Sequence, residues 1–303
     1  MGVISSTGSA PGNPVIARSI CSVCGICAEI CPVEVLTVSG DSIAIDRDKN
    51  FGCIGCGQCM LVCPLDCISV TGRRLSHEQV TVLPLPEEKA SQAQLSALFM
   101  ARRSIRSFRA DEVPKEVVGQ VLAAAATAPM GIPPWEVGVT VFHGRDKVAE
   151  LSRDTVNSYR GFLKIFDNPA MKQLSRLFMK KSVWSRFQSF IIPLARILVE
   201  GAGTGKDYVL YDAPVAIMFH VSPYADSADA MIACTYAMLA AESMGLGTCM
   251  IGCSAPVVER RKDLLKKYGV PEGNAPKIIL IMGYHNSPHR KGIKRSFQSL
   301  NYY

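Results

Sequence analysis

The pattern of apolar and polar positions predicts two differently built halves. In the first, short β-rich runs are broken by turn residues. Val15–Ile20 reads as a leading strand, and Val35–Val38 and Ser42–Ile45 flank Gly40-Asp41 as a hairpin. Ile68–Val70 then repeats the pattern of Leu36–Val38. In the second half the periods lengthen. Gln94–Arg103 carries helical spacing, as does Val117–Ala128, which Pro114 opens. Val137–His143, Val215–Val221 and Lys277–Met282 are apolar runs of strand length, and a long helix starts at Ser227 and ends near Met244. Leu174–Glu200 places apolar residues on helical spacing, but Lys180, Lys181, Arg186 and Arg196 interrupt it. Those charges argue against a transmembrane span. The stretch reads as a lid or a dimer-contact helix, with a membrane-surface helix as the alternative.

A length of 303 residues favours two domains. The polar segment from Arg73 to Lys89, with Pro84 and Pro86, is the natural linker. The expected division is a tail at 1–14, a first domain at 15–75, a linker at 76–90 and a second domain at 91–303, the helical stretch 151–207 being an insertion in it. The net charge of +7 is modest and spread out, with mild clusters at Arg102–Arg109 and Arg290–Arg295. That argues against a nucleic-acid partner and suits a small phosphate. The N-terminus shows no secretory signal, and its loose myristoylation pattern is read as coincidence.

Chemistry enters with the cysteines. Cys21-x2-Cys24-x2-Cys27-x3-Cys31-Pro32 recurs 32 residues later as Cys53-x2-Cys56-x2-Cys59-x3-Cys63-Pro64. This is the bacterial [4Fe–4S] spacing written twice, in which the fourth cysteine of each run serves the other cluster. One cluster takes Cys21, Cys24, Cys27 and Cys63; the other takes Cys53, Cys56, Cys59 and Cys31. Zinc sites rarely repeat a four-cysteine run in register, and a disulfide framework needs an oxidising compartment. So many thiolate ligands imply a reducing, anaerobic cytoplasm. Cys67, Cys234, Cys249 and Cys253 have no partner pattern and read as small apolar residues. The stretch 15–75 resembles a two-cluster bacterial ferredoxin.

Beyond the linker lies Arg102-Arg103-Ser104-Ile105-Arg106, cations around a hydroxyl that suit a phosphate. A helix then runs into Ala128-Pro129-Met130-Gly131-Ile132-Pro133-Pro134-Trp135 and a strand. Farther on come Asp229-Ala230 at the start of the long helix, Gly245-Leu246-Gly247-Thr248 after it, and the basic tail Arg290–Arg295. In this order the motifs resemble the FMN-dependent nitroreductase family. The resemblance implies an α+β fold: a small two-[4Fe–4S] ferredoxin domain followed by a nitroreductase-like domain whose central mixed sheet is flanked by helices. It also implies FMN, a homodimer and a pocket at the dimer interface. By that resemblance Arg102, Ser104, Arg106 and Arg295 hold the phosphate, joined by Arg103 and Lys294. Pro129, Met130, Gly131, Gly245, Leu246 and Gly247 present backbone to the flavin ring. The loop departs from the commonest family form, which has Ser, Asn and Gln before the Pro-Trp pair, so side-chain contacts are not carried over from it.

Two decoys fall away. Gly201–Asp207 resembles a phosphate loop, but Glu200 replaces the first glycine and Asp207 the Ser or Thr, so a helix stop is the better reading. No strand–GxGxxG–helix unit with a later acidic residue is present, which argues against a dedicated Rossmann nicotinamide site. The five histidines show no metal spacing. The expected function is an iron–sulfur flavoprotein that passes electrons from an external low-potential donor, a ferredoxin or similar protein, through both clusters to FMN. From there they reach a nitroaromatic, quinone or activated alkene. A non-enzymatic carrier and an FMN-dependent dehalogenase or flavin-degrading enzyme are the alternatives. No catalytic side chain is singled out.

Overall fold

The computed structural model describes residues 10–73, 75–131, 134–287 and 289–303. Residues 1–9 of the expected tail and Ile132 and Pro133 of the Pro-Trp loop lie outside the described residues. In the cysteine-rich half, β1 (Asn13–Ile16) pairs antiparallel with β4 (Ile68–Thr71), and β2 (Leu36–Ser39) with β3 (Ser42–Ile45). After each cysteine loop comes one helical turn, α1 (Ile26–Glu29) and α2 (Gln58–Leu61). Gly25 and Gly57 lead into these turns with φ of 79° and 74°, a conformation that costs glycine nothing. Val35, Leu36, Ile43, Met60, Ile68 and Val70 form one small core between the hairpins. The leading strand starts two residues earlier than expected and ends sooner, because Asn13 finds Thr71 as its cross-strand partner.

In the second half, α3 (Gln92–Ala101) and α4 (Lys115–Ala126) precede β5 (Val137–His143). Then come α5 (Arg145–Phe166), α6 (Pro169–Phe178), α7 (Lys181–Arg186) and α8 (Ile192–Gly203), with one π-helical turn over Phe187–Ile191. The chain ends its ordered elements with β6 (Val215–Val221), α9 (Ser227–Ser243), β7 (Leu246–Ile251), α10 (Ala255–Glu259), α11 (Lys262–Lys267) and β8 (Ala275–Tyr284). The sheet order is β5-β6-β8-β7, each pair antiparallel. A parallel bridge from Ser104 to Thr248 extends it beyond β7.

Every residue of β6 is buried, so both faces of the sheet are covered. On one face α4 and α9 pack small residues (Ala125, Ala230, Ala233, Ala237) against Ile217, Phe219 and Leu280. On the other face α5, α8 and α10 cover Ala216, Met218, Ile279 and Ile281 through Val148, Leu151, Leu198 and Val258. Much of the stretch 151–207 is therefore core and not an added lid. Its interrupting charges are exposed, Lys180, Lys181 and Arg186 at α7 and Arg196 on α8, while α6 and α7 contribute no fully buried residue. Among the described residues no helix is long and apolar enough to cross a membrane.

The pairing of β5 with β6 depends on one glycine. Gly138 lies opposite His220, and a Cβ there would stand 2.2 Å from the His220 ring. Asn274 Nδ2 donates to His220 Nδ1 at 2.9 Å, and burial holds the imidazole pKa below its ordinary value. Gly138→Ala should cost about 1–3 kcal/mol by overpacking, read from urea denaturation. Unfolding exposes an imidazole that binds a proton more readily than the folded one. Stability should thus hold above roughly pH 6.5 and fall as pH drops below it, a fall that His220→Gln should flatten.

Candidate active site and cluster pockets

Both predicted cysteine sets converge. Cys21, Cys24, Cys27 and Cys63 line one small pocket with Ile26, Ile43 and Leu65. Cys31, Cys53, Cys56 and Cys59 line a second, with Ile54, Leu36 and Val70. Each run thus lends its fourth cysteine to the other's pocket. Among the described residues no His, Cys, Asp or Glu group gathers as tightly as a single ion requires; these sulfurs instead surround a space, as a cubane demands. Burial raises the thiols of Cys27 and Cys53 and pushes Cys59 up to about 12, so iron binding must expel the protons. Cys67, expected to be packing, is buried but stands 3.4 Å from Cys63 Sγ and lines the first pocket.

In the second half, the segment after α3 runs extended beside β7. The Ile105 amide donates to the Thr248 carbonyl at 2.8 Å. Side chains alternate along an extended segment, so Arg102, Ser104 and Arg106 share one face while Arg103 and Ile105 take the other. Ile105 is buried; Arg103 donates to the carbonyls of Arg102 and Lys291 at 2.7 and 3.3 Å. The expected phosphate set therefore divides: Arg103 turns to the C-terminal tail, away from the face that carries Arg106. That tail carries Lys294 and Arg295, both exposed, a few residues beyond this contact.

Arg106 opens onto a cavity of about 1280 Å³. Its floor is the far end of β7 and the turn after it: Met250, Ile251, Gly252 and Cys253. Thr248 directs its carbonyl outward to Ile105, so by strand alternation Met250 directs its amide to the same free edge. A Cβ on Gly252 would meet nothing within 4 Å, so this backbone is open to a ligand. The walls are aromatic: Tyr159, Phe162, Phe187, Phe190 and Tyr211. Phe162, Phe166 and Phe187 cluster with ring centroids 4.5–6.0 Å apart. Tyr159 Oη donates to the Cys253 carbonyl at 3.0 Å and fixes the floor to α5.

A tight turn carries Tyr211 to within 5.7 Å of the Arg106 guanidinium. Tyr211 and Asp212 hold φ of 57° and 50°, positions costly for residues with side chains. Asp207 makes them possible. Its carboxylate accepts from the amides of Val209, Leu210 and Asp212 and from Ser152 Oγ at 2.6–3.2 Å. The supposed phosphate loop is instead the end of α8 and the anchor of this turn. Burial raises the Tyr211 hydroxyl pKa, and Arg106 opposes that rise.

The ring-lining segments are placed otherwise than expected. Gly245 ends α9, but Leu246 and Gly247 belong to β7 and not to a loop. Leu246 is fully buried, and a Cβ on Gly247 would clash with Ile105 and His285. The glycine there admits the Ser104 segment against the sheet. Pro129, Met130 and Gly131 lie at the other end of α9, where Asp229 Oδ1 accepts from the Gly131 amide at 3.1 Å. Asp229 lies near the start of α9 and Gly245 just beyond its end at Ser243, roughly 20 Å along the helix. The loop also leads into β5, the sheet edge opposite β7. Sequence reasoning missed Met250–Cys253; the available signal was Gly252 directly after an apolar run.

Two cysteine-lined pockets and a separate cation-edged cavity together define an iron–sulfur oxidoreductase. A model of the nitroreductase family matches residues 99–284, more than half the chain, and the chain belongs to that family. Residues 13–64 match a 4Fe–4S dicluster domain. Among solved structures, a nitroreductase with bound FMN from Bacteroides fragilis is 19% identical. It aligns over 69% of this chain and 97% of its own, with a TM-score of 0.51, and so shares the fold. A nitroreductase with bound FMN from Desulfitobacterium hafniense is 20% identical over 68% and 96%, with a TM-score of 0.49. No curated protein matches.

Asp207→Ala strips several donors of their acceptor at once. It should lower stability by about 1–3 kcal/mol in chemical denaturation and loosen the turn under Tyr211.

Proposed function

We propose that the chain is an FMN-dependent reductase in which residues 15–75 carry two [4Fe–4S] clusters, 76–90 link, and 91–303 hold the flavin. A low-potential donor such as a ferredoxin supplies electrons, and a small nitroaromatic, quinone or activated alkene receives them. The observation that carries this reading is the cavity at Arg106. A phosphate-suited guanidinium, an open backbone edge and aromatic walls meet there, in a domain hydrogen-bonded to the cluster module.

Arg102, Ser104 and Arg106 grip the phosphate, the guanidinium forks giving charge-assisted bonds. Met250 offers its amide to the ring edge, the means by which a protein orients and tunes a flavin. FMN bound there supplies the exchange between single-electron and two-electron chemistry. Phe162, Phe187 and Phe190 exclude water and give a flat acceptor a surface to stack on. Protons come from solvent, since no side chain at the floor is an evident acid. A reducing cytoplasm suits the thiolate ligands.

A homodimer completes the site. The cavity lies at the β7 edge, whereas Pro129–Gly131 lies at the β5 edge, three strand spacings or roughly 14 Å across the sheet. That loop can cover a cavity only in a second copy. Exposed apolar residues on α3 (Leu95, Phe99), on α9 (Met231, Ile232, Tyr236) and in the tail (Phe297, Leu300) support such an interface. A pure electron carrier would have no use for the cavity.

Anaerobic purification should yield about eight irons per chain, as the doubled motif requires, and one FMN. Dithionite should reduce the protein and NADH should not; eight irons without flavin after reconstitution would leave a carrier. Arg106→Ala should weaken FMN about tenfold or more, the worth of one charged hydrogen bond, by fluorescence titration.

A further inference from the structure

The two cysteine runs are copies in sequence but not in surroundings, so each is a control for the other. Val23 and Gly55 occupy the same place, with φ of 57° and 66°, and Glu34 and Asp66 match at 54° and 48°. The loop backbones are thus alike. The first loop is open: Cys24 is exposed, as are Ile20 and Ile26 beside it. The second is covered: Gly55, Gly57 and Cys59 are buried.

What covers the second loop leads into the flavin domain. A Cβ on Gly55 would stand 2.8 Å from Arg73 Cδ, and one on Gly57 3.1 Å from Leu75. Arg73 Nη2 donates to the Pro134 carbonyl at 2.5 Å and pairs with Glu136 at 2.8 Å, and both side chains are largely buried. Trp135 Nε1 donates to the Gly55 carbonyl at 3.1 Å, and the Gly55 amide points at Cys53 Sγ, 3.4 Å away. One residue thus separates the indole from a cluster thiol. Trp135 holds a φ of 69°, a strained value that its surroundings must enforce. No side chain larger than hydrogen fits at Gly55, whereas the equivalent position in the open loop carries valine.

We propose that the two clusters have fixed and different roles. The cluster on Cys21, Cys24, Cys27 and Cys63 is the inlet. The cluster on Cys53, Cys56, Cys59 and Cys31 is the outlet, and Trp135 is the positioning residue that, with Arg73 and Glu136, holds it against the flavin domain. This rests on the proposed reading that electrons leave the clusters for a flavin. A low-potential one-electron donor gives up one electron to the inlet, which passes it to the outlet. Two such passes with two solvent protons convert a two-electron acceptor to its dihydro form.

The test exchanges the matched residues, Gly55→Val against Val23→Gly, in full-length Trp184→Phe protein, where Trp135 is the sole indole. Trp135→Phe, in otherwise wild-type protein, removes the donor while keeping an aromatic ring. Three quantities are read: iron content, quenching of Trp135 emission as clusters are assembled, and flavin bleaching after mixing with dithionite. Cluster assembly should quench Trp135 even in flavin-free protein. Gly55→Val should relieve the quenching and slow bleaching. Trp135→Phe should slow bleaching with iron retained, and Val23→Gly should change neither readout. Unquenched Trp135 in the parent protein, or Val23→Gly slowing bleaching as much as Gly55→Val, would overturn the assignment. If Gly55→Val loses iron, an unchanged bleaching rate in Trp135→Phe overturns it instead. Absence of any flavin would defeat the reductase reading, while the quenching measurement would still judge which cluster faces Trp135.

Discussion

The antiparallel pairing of β6 with β8 is the constraint on which both redox surfaces depend. These two strands are buried on both faces, so the sheet has no free side on which to build a site. Chemistry is pushed to the edges. At β7 the Ser104 segment closes the near end and leaves Met250 and Gly252 open at the far end, which makes the cavity floor. At β5 the chain arrives through the loop that meets the cluster module. Helices α4 and α9 on one face and α5 and α8 on the other fix the spacing between these edges. A close-packed core transmits such a spacing without slack.

The grouping of the eight cysteines into two pockets was legible because a thiolate spacing means the same thing in any fold. Strands β5 and β6 were legible to the residue, since apolar runs bounded by turns leave little freedom. The helices of 151–207 were less so. Their buried stripes are interrupted by charges that lie on the solvent side, and only the sheet decides which side that is. Gly247, assigned to the flavin ring by resemblance, makes room here for Ile105 beside an edge strand, a tertiary demand invisible to a local pattern. The direction of the basic segment was not legible: extension of Arg102–Arg106 separates Arg103 from its neighbours and turns it to the Lys291 carbonyl. Asp207 shows the converse, a residue set aside as a failed motif that proves to organise the turn beside the cavity.

An iron–sulfur centre is tuned by hydrogen bonds to its sulfurs and by solvent exposure. The two cluster pockets share ligand spacing and backbone shape, so they can differ only through these outer influences. The first has an exposed ligand and apolar neighbours facing water; the second lies under Arg73, Leu75 and Trp135. Reception from a separate protein demands an accessible cluster, and delivery to a flavin domain demands a fixed contact. Exposure and burial are opposite requirements, and a single cluster in a domain this small could not meet both. In the proposed assignment the duplication gives each requirement its own copy, and the side chain at position 23 or 55 marks which copy takes which task.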